Sequence, residues 1–285
     1  MKEEKLKKIV NHNEYKREEI LEACYKFYTS IGRKSPTVLP DIQTVAGMIF
    51  ADKGYKLIRI PLKNKEIGAF QLRLNGLNYL VLNTAKTLAY NNYSLAHELY
   101  HILIQKEELN SLDIFKEEYS DDENELMANA FAGNILMPEE DFVLISNRFL
   151  KIISGLDHTG VDDFFDQYFL ITVLMNYFRT TYMSVLVRCF ELRIFDINND
   201  NLVKNLLINN KKENLLELCN NYAISLEESS IAEVSNVDDF EILLKDATRQ
   251  GEEKIKRGLL TREDFEYKIQ GMKRAHEEVV GNKCQ

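Results

Sequence analysis

Apolar residues recur at three- and four-residue steps in the first part of the chain, the spacing that places them on one face of a helix. This pattern predicts a helix over residues 14–30, which Gly32 ends, and a second helix over residues 41–52, which Gly54 ends. We therefore expect two helices before any sheet begins.

Three short strands are predicted next. Residues 56–60 are rich in isoleucine and leucine, and residues 67–74 and 77–83 flank Asn75-Gly76, the dipeptide that best fits a type I′ turn. The pattern indicates a β-hairpin preceded by one more strand. We expect the strand 77–83 to offer an exposed edge, to which an extended substrate segment can add as a further strand.

Helical periodicity returns over residues 93–105, and a polar connector follows over residues 106–119. The sequence Ser-Asp-Asp-Glu at 120–123 is a capping-box pattern that starts another helix, and Pro138 ends it. Beyond Pro138 the predicted helices cover residues 139–150, 161–177, 182–195, 201–208, 212–223, 237–251 and 261–280. This order predicts an α+β fold, in which helices pack on a short antiparallel or mixed sheet and an all-helical C-terminal part follows.

Composition excludes several classes of protein. The 285 residues are 45% apolar and 28% charged, which is ordinary for a folded chain, and no apolar run approaches the roughly 18 to 20 residues of a membrane span. The N-terminus is rich in lysine and glutamate and shows no secretory signal, so we expect a cytoplasmic protein. The four cysteines lie far apart in the sequence, which is more typical of reduced thiols than of a set of disulfide bonds. The net charge of −9 disfavours a dedicated nucleic-acid binder.

The informative motif is H-E-x-x-H at residues 97–101, which lies on a predicted helix. Residues four apart share a helix face, so His97 and His101 can direct their imidazole nitrogens at one zinc ion. Glu98 lies about 100° around the helix from His97, where it can contact a water molecule at the metal without being a ligand. Two histidines that only pack or cap the helix are the alternative, but imidazole nitrogens on an apolar helix need polar partners.

A catalytic zinc has three protein ligands, so one more histidine or carboxylate is required. The helix that follows the capping box offers Glu125, which shares a face with Asn129. Small Ala128 and Ala132 would let this helix pack closely on the first. The neighbouring acids at 121–123 are better explained by the preference of a helix N-terminus for negative charge. Two histidines and a carboxylate also suit manganese and iron, so the identity of the ion stays open.

These motifs resemble one family. The pattern L-A-H-E-x-x-H at residues 95–101, followed by E-x-x-A-N-x-F-A-x-x-I-L-M-P at residues 125–138, is similar to the ImmA/IrrE zinc metallopeptidases. The resemblance covers roughly residues 35 to 195. The chain departs from the family at Tyr100, where glycine is frequent, and at Tyr93, where phenylalanine is frequent.

The resemblance implies a zincin-like core and a regulatory endopeptidase that cleaves a helix-turn-helix transcriptional repressor, which induces a mobile element or a stress response. It assigns His97, His101 and Glu125 as metal ligands and Glu98 as general base. It assigns Asn129 as an outer partner, which means a residue that contacts a metal ligand rather than the ion. The alternative is an antirepressor that binds the repressor through the zincin fold without cutting it. We expect a metallopeptidase domain over residues 1–140, a small helical segment over 141–200 and a helical region over 201–285.

The segment 161–196 has the proportions of a helix-turn-helix. Its second helix offers only Arg188 and Arg193 as clear phosphate partners, so we expect packing or partner docking rather than direct DNA binding. The remaining histidines have no complementary spacing and are expected at the surface; they are His12, His158 and His276. Tyr93, Tyr100 and Tyr119 are candidates for stabilising an oxyanion, without an assignment.

Overall fold

The computed structural model describes residues 1–74, 76–105, 113–116, 122–155, 164–208 and 234–280. The predicted α+β fold with a helical C-terminal part is confirmed. The chain folds into two compact units whose segments alternate along the sequence. The first unit comprises Met1–Ala46, Leu88–Lys106 and Tyr119–Glu233, and the second comprises Gly47–Thr87, Glu107–Glu118 and Val234–Gln285. The functional division at residues 140 and 200 stays a prediction.

The first unit is helical. Its helices are α1 (Glu3–Tyr15), α2 (Arg17–Ser30), α4 (Leu88–Tyr100), α5 (Glu123–Leu136), α6 (Glu139–Ile153), α7 (Phe165–Phe178), α8 (Tyr182–Glu191) and α9 (Asp200–Ile208), while α3 (Ile42–Asp52) continues into the second unit. Helix α4 packs against α5, and Ala128 and Ala132 are fully buried there. Because neither alanine extends beyond Cβ, the two helices can approach closely.

The expectation of two helices before the sheet is wrong, because α1 adds a third. Leu6, Ile9, Val10 and Asn13 form a buried stripe at helical spacing on α1. Lysine and glutamate occupy most other positions of this helix, so its apolar stripe is short and was not recognised in the sequence.

Helix α4 starts five residues before the predicted residue 93. Its first turn contains Asn91 and Asn92, which interrupt the apolar periodicity, yet both are buried. The Asn92 side chain accepts a hydrogen bond from Gln43 at 3.0 Å and donates one to the carbonyl of Arg179 at 2.9 Å. Tertiary hydrogen bonds therefore replace apolar contacts in this turn.

The second unit contains a mixed sheet of β1 (Tyr55–Ile60), β2 (Ile67–Leu74), β3 (Leu77–Asn83) and β4 (Asp113–Lys116) in the order β1-β3-β2-β4. Strands β2 and β3 form the predicted hairpin, and Gly76 in its turn has φ of +81°. Strand β4 lies within the segment predicted as a polar connector and pairs antiparallel with β2.

The prediction of an exposed edge on β3 is wrong. Strand β3 pairs parallel with β1 on one side and antiparallel with β2 on the other, so its backbone has no free edge. On β1, the backbone N–H of Arg59 donates to the carboxylate of Asp239 at 3.2 Å, and its carbonyl accepts from the Asp239 N–H at 2.7 Å. A residue from the C-terminal part thus covers backbone groups of an outer strand.

Helices α10 (Phe240–Lys256) and α11 (Arg262–Val279) belong to the second unit. Phe240 and Leu243 join Ile58, Tyr79 and Val81 in one buried cluster. Residues 234–280 are therefore part of the packed body of this unit. The predicted helix over 212–223 lies outside the described residues.

Among the described helices, no single one is long and apolar enough to cross a bilayer; α7 and α8 satisfy that length and composition only as a pair bent by 111°.

Candidate metal centre

Helix α4 and the turn after it bring the two motif histidines together. His97 is fully buried on α4, and His101 begins a π-helical turn, His101–Gln105. The two Nε2 atoms lie 3.0 Å apart. The predicted helical spacing therefore places both ring nitrogens at one point, with His101 closer to solvent at 18% side-chain exposure.

Helix α5 supplies the third group. Asp122 caps this helix, and its side chain accepts hydrogen bonds from the backbone N–H groups of Asn124 and Glu125. One Glu125 carboxylate oxygen lies 3.3 Å from His97 Nε2, and the other lies 3.4 Å from His101 Nε2. The structure thus brings together the three residues that the sequence predicted as ligands.

The electrostatics of Glu125 favour its charged form. Burial raises the pKa of its carboxyl, but the hydrogen bond with His97 and the charges of the two imidazoles lower that pKa by more. The net pKa lies below the ordinary value of a glutamate. Glu125 therefore presents a carboxylate to the two histidines at neutral pH.

In each histidine, the ring nitrogen that faces away from Glu125, Nδ1, contacts a side-chain amide oxygen. His97 Nδ1–H donates to Asn129 Oδ1 at 3.1 Å, and His101 Nδ1–H donates to Gln105 Oε1 at 2.5 Å. A neutral imidazole that donates through Nδ1 carries a lone pair on Nε2. In that neutral form both lone pairs are available to a metal ion, whereas in the charged form the Nε2–H groups donate to Glu125.

This donor set fits a metal ion. With both imidazoles neutral, the three atoms are electron-rich and a cation between them would offset their repulsion. Tetrahedral zinc with ligands at about 2.0–2.1 Å separates its ligand atoms by about 3.3 Å. The observed separations of 3.0, 3.3 and 3.4 Å are close to that value. Two histidines and one carboxylate leave the fourth position free, as in catalytic zinc sites.

Glu98 follows His97 directly on α4 and is 3% exposed. A carboxyl buried next to a histidine of a candidate metal site is suitably placed for proton transfer at that site. Its role as general base stays a prediction.

Asn129 also connects the site to Tyr93. The Tyr93 hydroxyl donates to Asn129 Oδ1 at 2.8 Å, the same oxygen that accepts from His97. The sequence predicted Asn129 as an outer partner but gave no partner for His101. Gln105 was missed, although its position four residues after His101 on a helical segment is a readable signal.

Two of the three tyrosines that are candidates for stabilising an oxyanion lie among the residues that the structure describes. Tyr93 holds Asn129, and Tyr100 is buried with its ring edge against His101 at a centroid distance of 5.9 Å. Burial raises the pKa of the Tyr100 hydroxyl. Tyr119 lies outside the described residues.

The expectation of surface positions is wrong for two histidines. His12 is only 13% exposed and contacts Glu123, and His276 is 18% exposed and stacks on Phe240 with ring centroids 3.9 Å apart. His12 lies on an amphipathic helix and His276 on a sheet-covering helix, so both pack at the border of a core. His158 lies outside the described residues.

Helices α7 and α8 correspond to the segment with helix-turn-helix proportions. Arg188 on α8 is 4% exposed, and its guanidinium donates to Glu191 at 2.9 Å and to the carbonyl of Met137 at 3.2 Å. It faces the interior of the first unit, and Arg193 lies beyond the end of α8. This burial supports a packing role for α8.

Residues 50–190 match the family model Peptidase_M78, described as the IrrE N-terminal-like domain. The match contains α4 and α5 with all three clustered residues. No curated protein matches the chain.

Proposed function

Because this chain belongs to the Peptidase_M78 family of IrrE N-terminal-like domains, we propose that it is a zinc-dependent site-specific endopeptidase. The observation that carries this proposal is the convergence of His97, His101 and Glu125 with a buried glutamate next to the first histidine. The family match and this cluster together make a metallopeptidase the best-supported function.

When bound, zinc supplies a Lewis acid that polarises a peptide carbonyl and lowers the pKa of water towards about 7. His97, His101 and Glu125 would hold the ion. Asn129 and Gln105 keep the two imidazoles oriented, since each accepts the proton-bearing Nδ1–H of one ring. These contacts leave both Nε2 atoms directed at the same point.

Glu98 would act as the base. In peptide hydrolysis its carboxylate takes a proton from the attacking water and returns it to the nitrogen of the leaving amine. The peptide C–N bond breaks, and the water oxygen remains on the new carboxyl group. Glu98 is not one of the three clustered residues, so it is available for this transfer.

The proposed substrate is a helix-turn-helix transcriptional repressor, whose cleavage would induce a mobile element or a stress response. The family resemblance of the two motif helices supports this substrate class. The buried Arg188 is consistent with a chain that acts on a DNA-binding protein rather than on DNA itself.

The test compares wild-type protein with Glu98→Gln, each incubated with the repressor encoded nearest to its gene and analysed by intact mass. Glutamine keeps the shape of glutamate but cannot accept the proton. We expect the wild type to cut the repressor and the variant to lose activity by about 10²- to 10⁴-fold. Both proteins should retain zinc, because Glu98 is not a ligand.

Two other results contradict the proposal. If neither protein cuts the repressor while both release it from DNA, the chain is an antirepressor. If the variant cuts as fast as the wild type, Glu98 is not the base.

A further inference from the structure

Two hydrogen bonds that share one acceptor join helix α4 to helix α5, on the side of His97 that faces away from Glu125. The Tyr93 hydroxyl and His97 Nδ1 both contact Oδ1 of Asn129, at 2.8 and 3.1 Å. Tyr93 and His97 are four residues apart, so they share the face of α4 that meets α5 at Asn129. Both residues of α4 are buried. One amide oxygen therefore links a tyrosine hydroxyl to a candidate metal ligand.

The Asn129 amide could present either its oxygen or its nitrogen to His97, because a half-turn about the last side-chain bond exchanges the two atoms. The oxygen accepts a proton from Nδ1, which leaves a lone pair on Nε2 of the neutral ring. The amide nitrogen would instead donate to Nδ1, and the single proton of the neutral ring would then be on Nε2. That form cannot bind an ion through the nitrogen that lies beside His101 and Glu125.

The Tyr93 hydroxyl favours the orientation in which the oxygen faces His97. With Oδ1 towards it, the hydroxyl donates a hydrogen bond at 2.8 Å. With the amide nitrogen towards it, the acceptor that Asn129 still offers to the hydroxyl proton is its main-chain carbonyl, at 3.5 Å. That distance is long for a hydrogen bond from a hydroxyl. The hydroxyl on α4 thus stabilises one of the two orientations of the amide on α5.

We propose that Tyr93 is a positioning residue of the metal centre. Its hydroxyl fixes the orientation of the Asn129 amide, and the amide keeps the Nε2 lone pair of His97 available to the ion. The inference rests on the metal site of the proposed function. It does not require Tyr93 to touch the ion, the attacking water or the substrate.

The test is the zinc affinity of the full chain, measured by competition with a chelating dye. Tyr93→Phe removes the hydroxyl and keeps the ring in the core. The amide can then turn in the metal-free protein, and only the fraction with the oxygen towards His97 is ready to bind zinc. Because the change removes one hydrogen bond, we expect zinc affinity to fall by about 3- to 10-fold. An unchanged affinity would overturn the proposal.

Tyr28→Phe is the matched control. The Tyr28 hydroxyl also donates to α5, at the carbonyl of Ile135 at 3.1 Å, and Tyr28 is 1% exposed. This variant therefore loses a buried hydroxyl contact with the same helix without changing the partners of Asn129. We expect it to bind zinc as tightly as the wild type, even where its midpoint of urea unfolding falls. An equal loss of zinc affinity in both variants would indicate a general loosening of α5 and would overturn the role of Tyr93.

A second substitution separates amide orientation from packing. The carboxylate of Asn129→Asp presents an oxygen to His97 in either orientation, and a carboxylate that accepts from a zinc-binding histidine is a common arrangement. In this background, Tyr93→Phe should leave zinc affinity unchanged. The same loss of affinity in both backgrounds would contradict the proposal, because the hydroxyl would then act by a route other than amide orientation.

These outcomes differ from a failure of the proposed function. A wild-type chain that binds no zinc would overturn the metal site and the role of Tyr93 together. A wild-type chain that binds zinc but cuts no repressor would contradict the peptidase alone, and the affinities of the tyrosine variants would still decide the role of Tyr93.

Discussion

At the scale of single residues, the orientation of the two histidines depends on amide side chains. Asn129 and Gln105 each accept a hydrogen bond from the Nδ1 of one imidazole, and Asn129 is itself held by the Tyr93 hydroxyl. Such outer contacts fix the tautomer and the ring plane of a ligand. The affinity for metal should therefore depend on residues that never touch the ion.

Gln105→Ala tests this dependence. Losing the acceptor behind His101 frees its ring to rotate, and we expect zinc affinity to fall by about 10- to 100-fold, measured by competition with a chelating dye. Gln43→Ala is a suitable control, because Gln43 bonds to Asn92 rather than to a histidine. Equal zinc affinities for the wild type and Gln105→Ala would refute the positioning role.

The residues of the candidate site differ in how far the sequence alone could predict their roles. His97, Glu98 and His101 follow from helical spacing, and Glu125 follows from the need for a third ligand on the next helix, whereas the role of Asn129 required the resemblance to a known family. Tyr93 and Gln105 were not assigned, because a hydroxyl or amide becomes an outer partner only through a specific three-dimensional contact.

At the scale of elements, the sequence predicted strands correctly where the turn residues and the spacing of apolar residues indicate the same structure. The hairpin strands match the predicted bounds, since Gly76 has the positive φ that the turn requires and the flanking residues have the pattern of strands. Strand β4 was not predicted because it lies in a mostly polar segment, and the start of α4 was not predicted because Asn91 and Asn92 interrupt the apolar periodicity. Their formation depends on pairing with β2 and on the bonds of Asn92, which are tertiary contacts.

The packing of α10 on α11 predicts a sensitive glycine. A Cβ at Gly251 would lie 2.3 Å from the ring of Phe265, which is 8% exposed, so Gly251→Ala forces one helix to shift. We expect a loss of about 1–3 kcal/mol in the free energy of unfolding, measured by urea denaturation. Gly271→Ala on α11 should instead be neutral or stabilising by up to about 1 kcal/mol. The same stability for both variants would argue against this close helix contact.

At the scale of the whole molecule, the chain alternates between two compact units, and the clustered residues all belong to the first. Periodicity within a segment cannot reveal this arrangement, because membership of a unit is decided by contacts between segments far apart in sequence. The C-terminal residues 234–280 illustrate the point, since they complete the unit that contains the sheet.

Removal of the metal should destabilise the protein, because an ion that binds only the folded chain stabilises the folded state. A ligand present at 1,000 times its dissociation constant stabilises the folded state by about 4 kcal/mol, so a chelator should lower the melting temperature of the zinc-loaded protein. The His101→Ala variant should melt at a temperature that the chelator does not change. A wild-type melting temperature that is insensitive to the chelator would contradict a metal bound at this site.

The most direct test of the metal centre is X-ray absorption at the zinc edge, together with metal analysis of the purified protein. We predict about one zinc per chain, with nitrogen and oxygen neighbours at about 2.0–2.1 Å and no sulfur neighbour. His101→Ala should lose this signal. Absence of zinc from the wild type, or a sulfur shell at about 2.3 Å, would contradict the assignment of His97, His101 and Glu125 as its ligands.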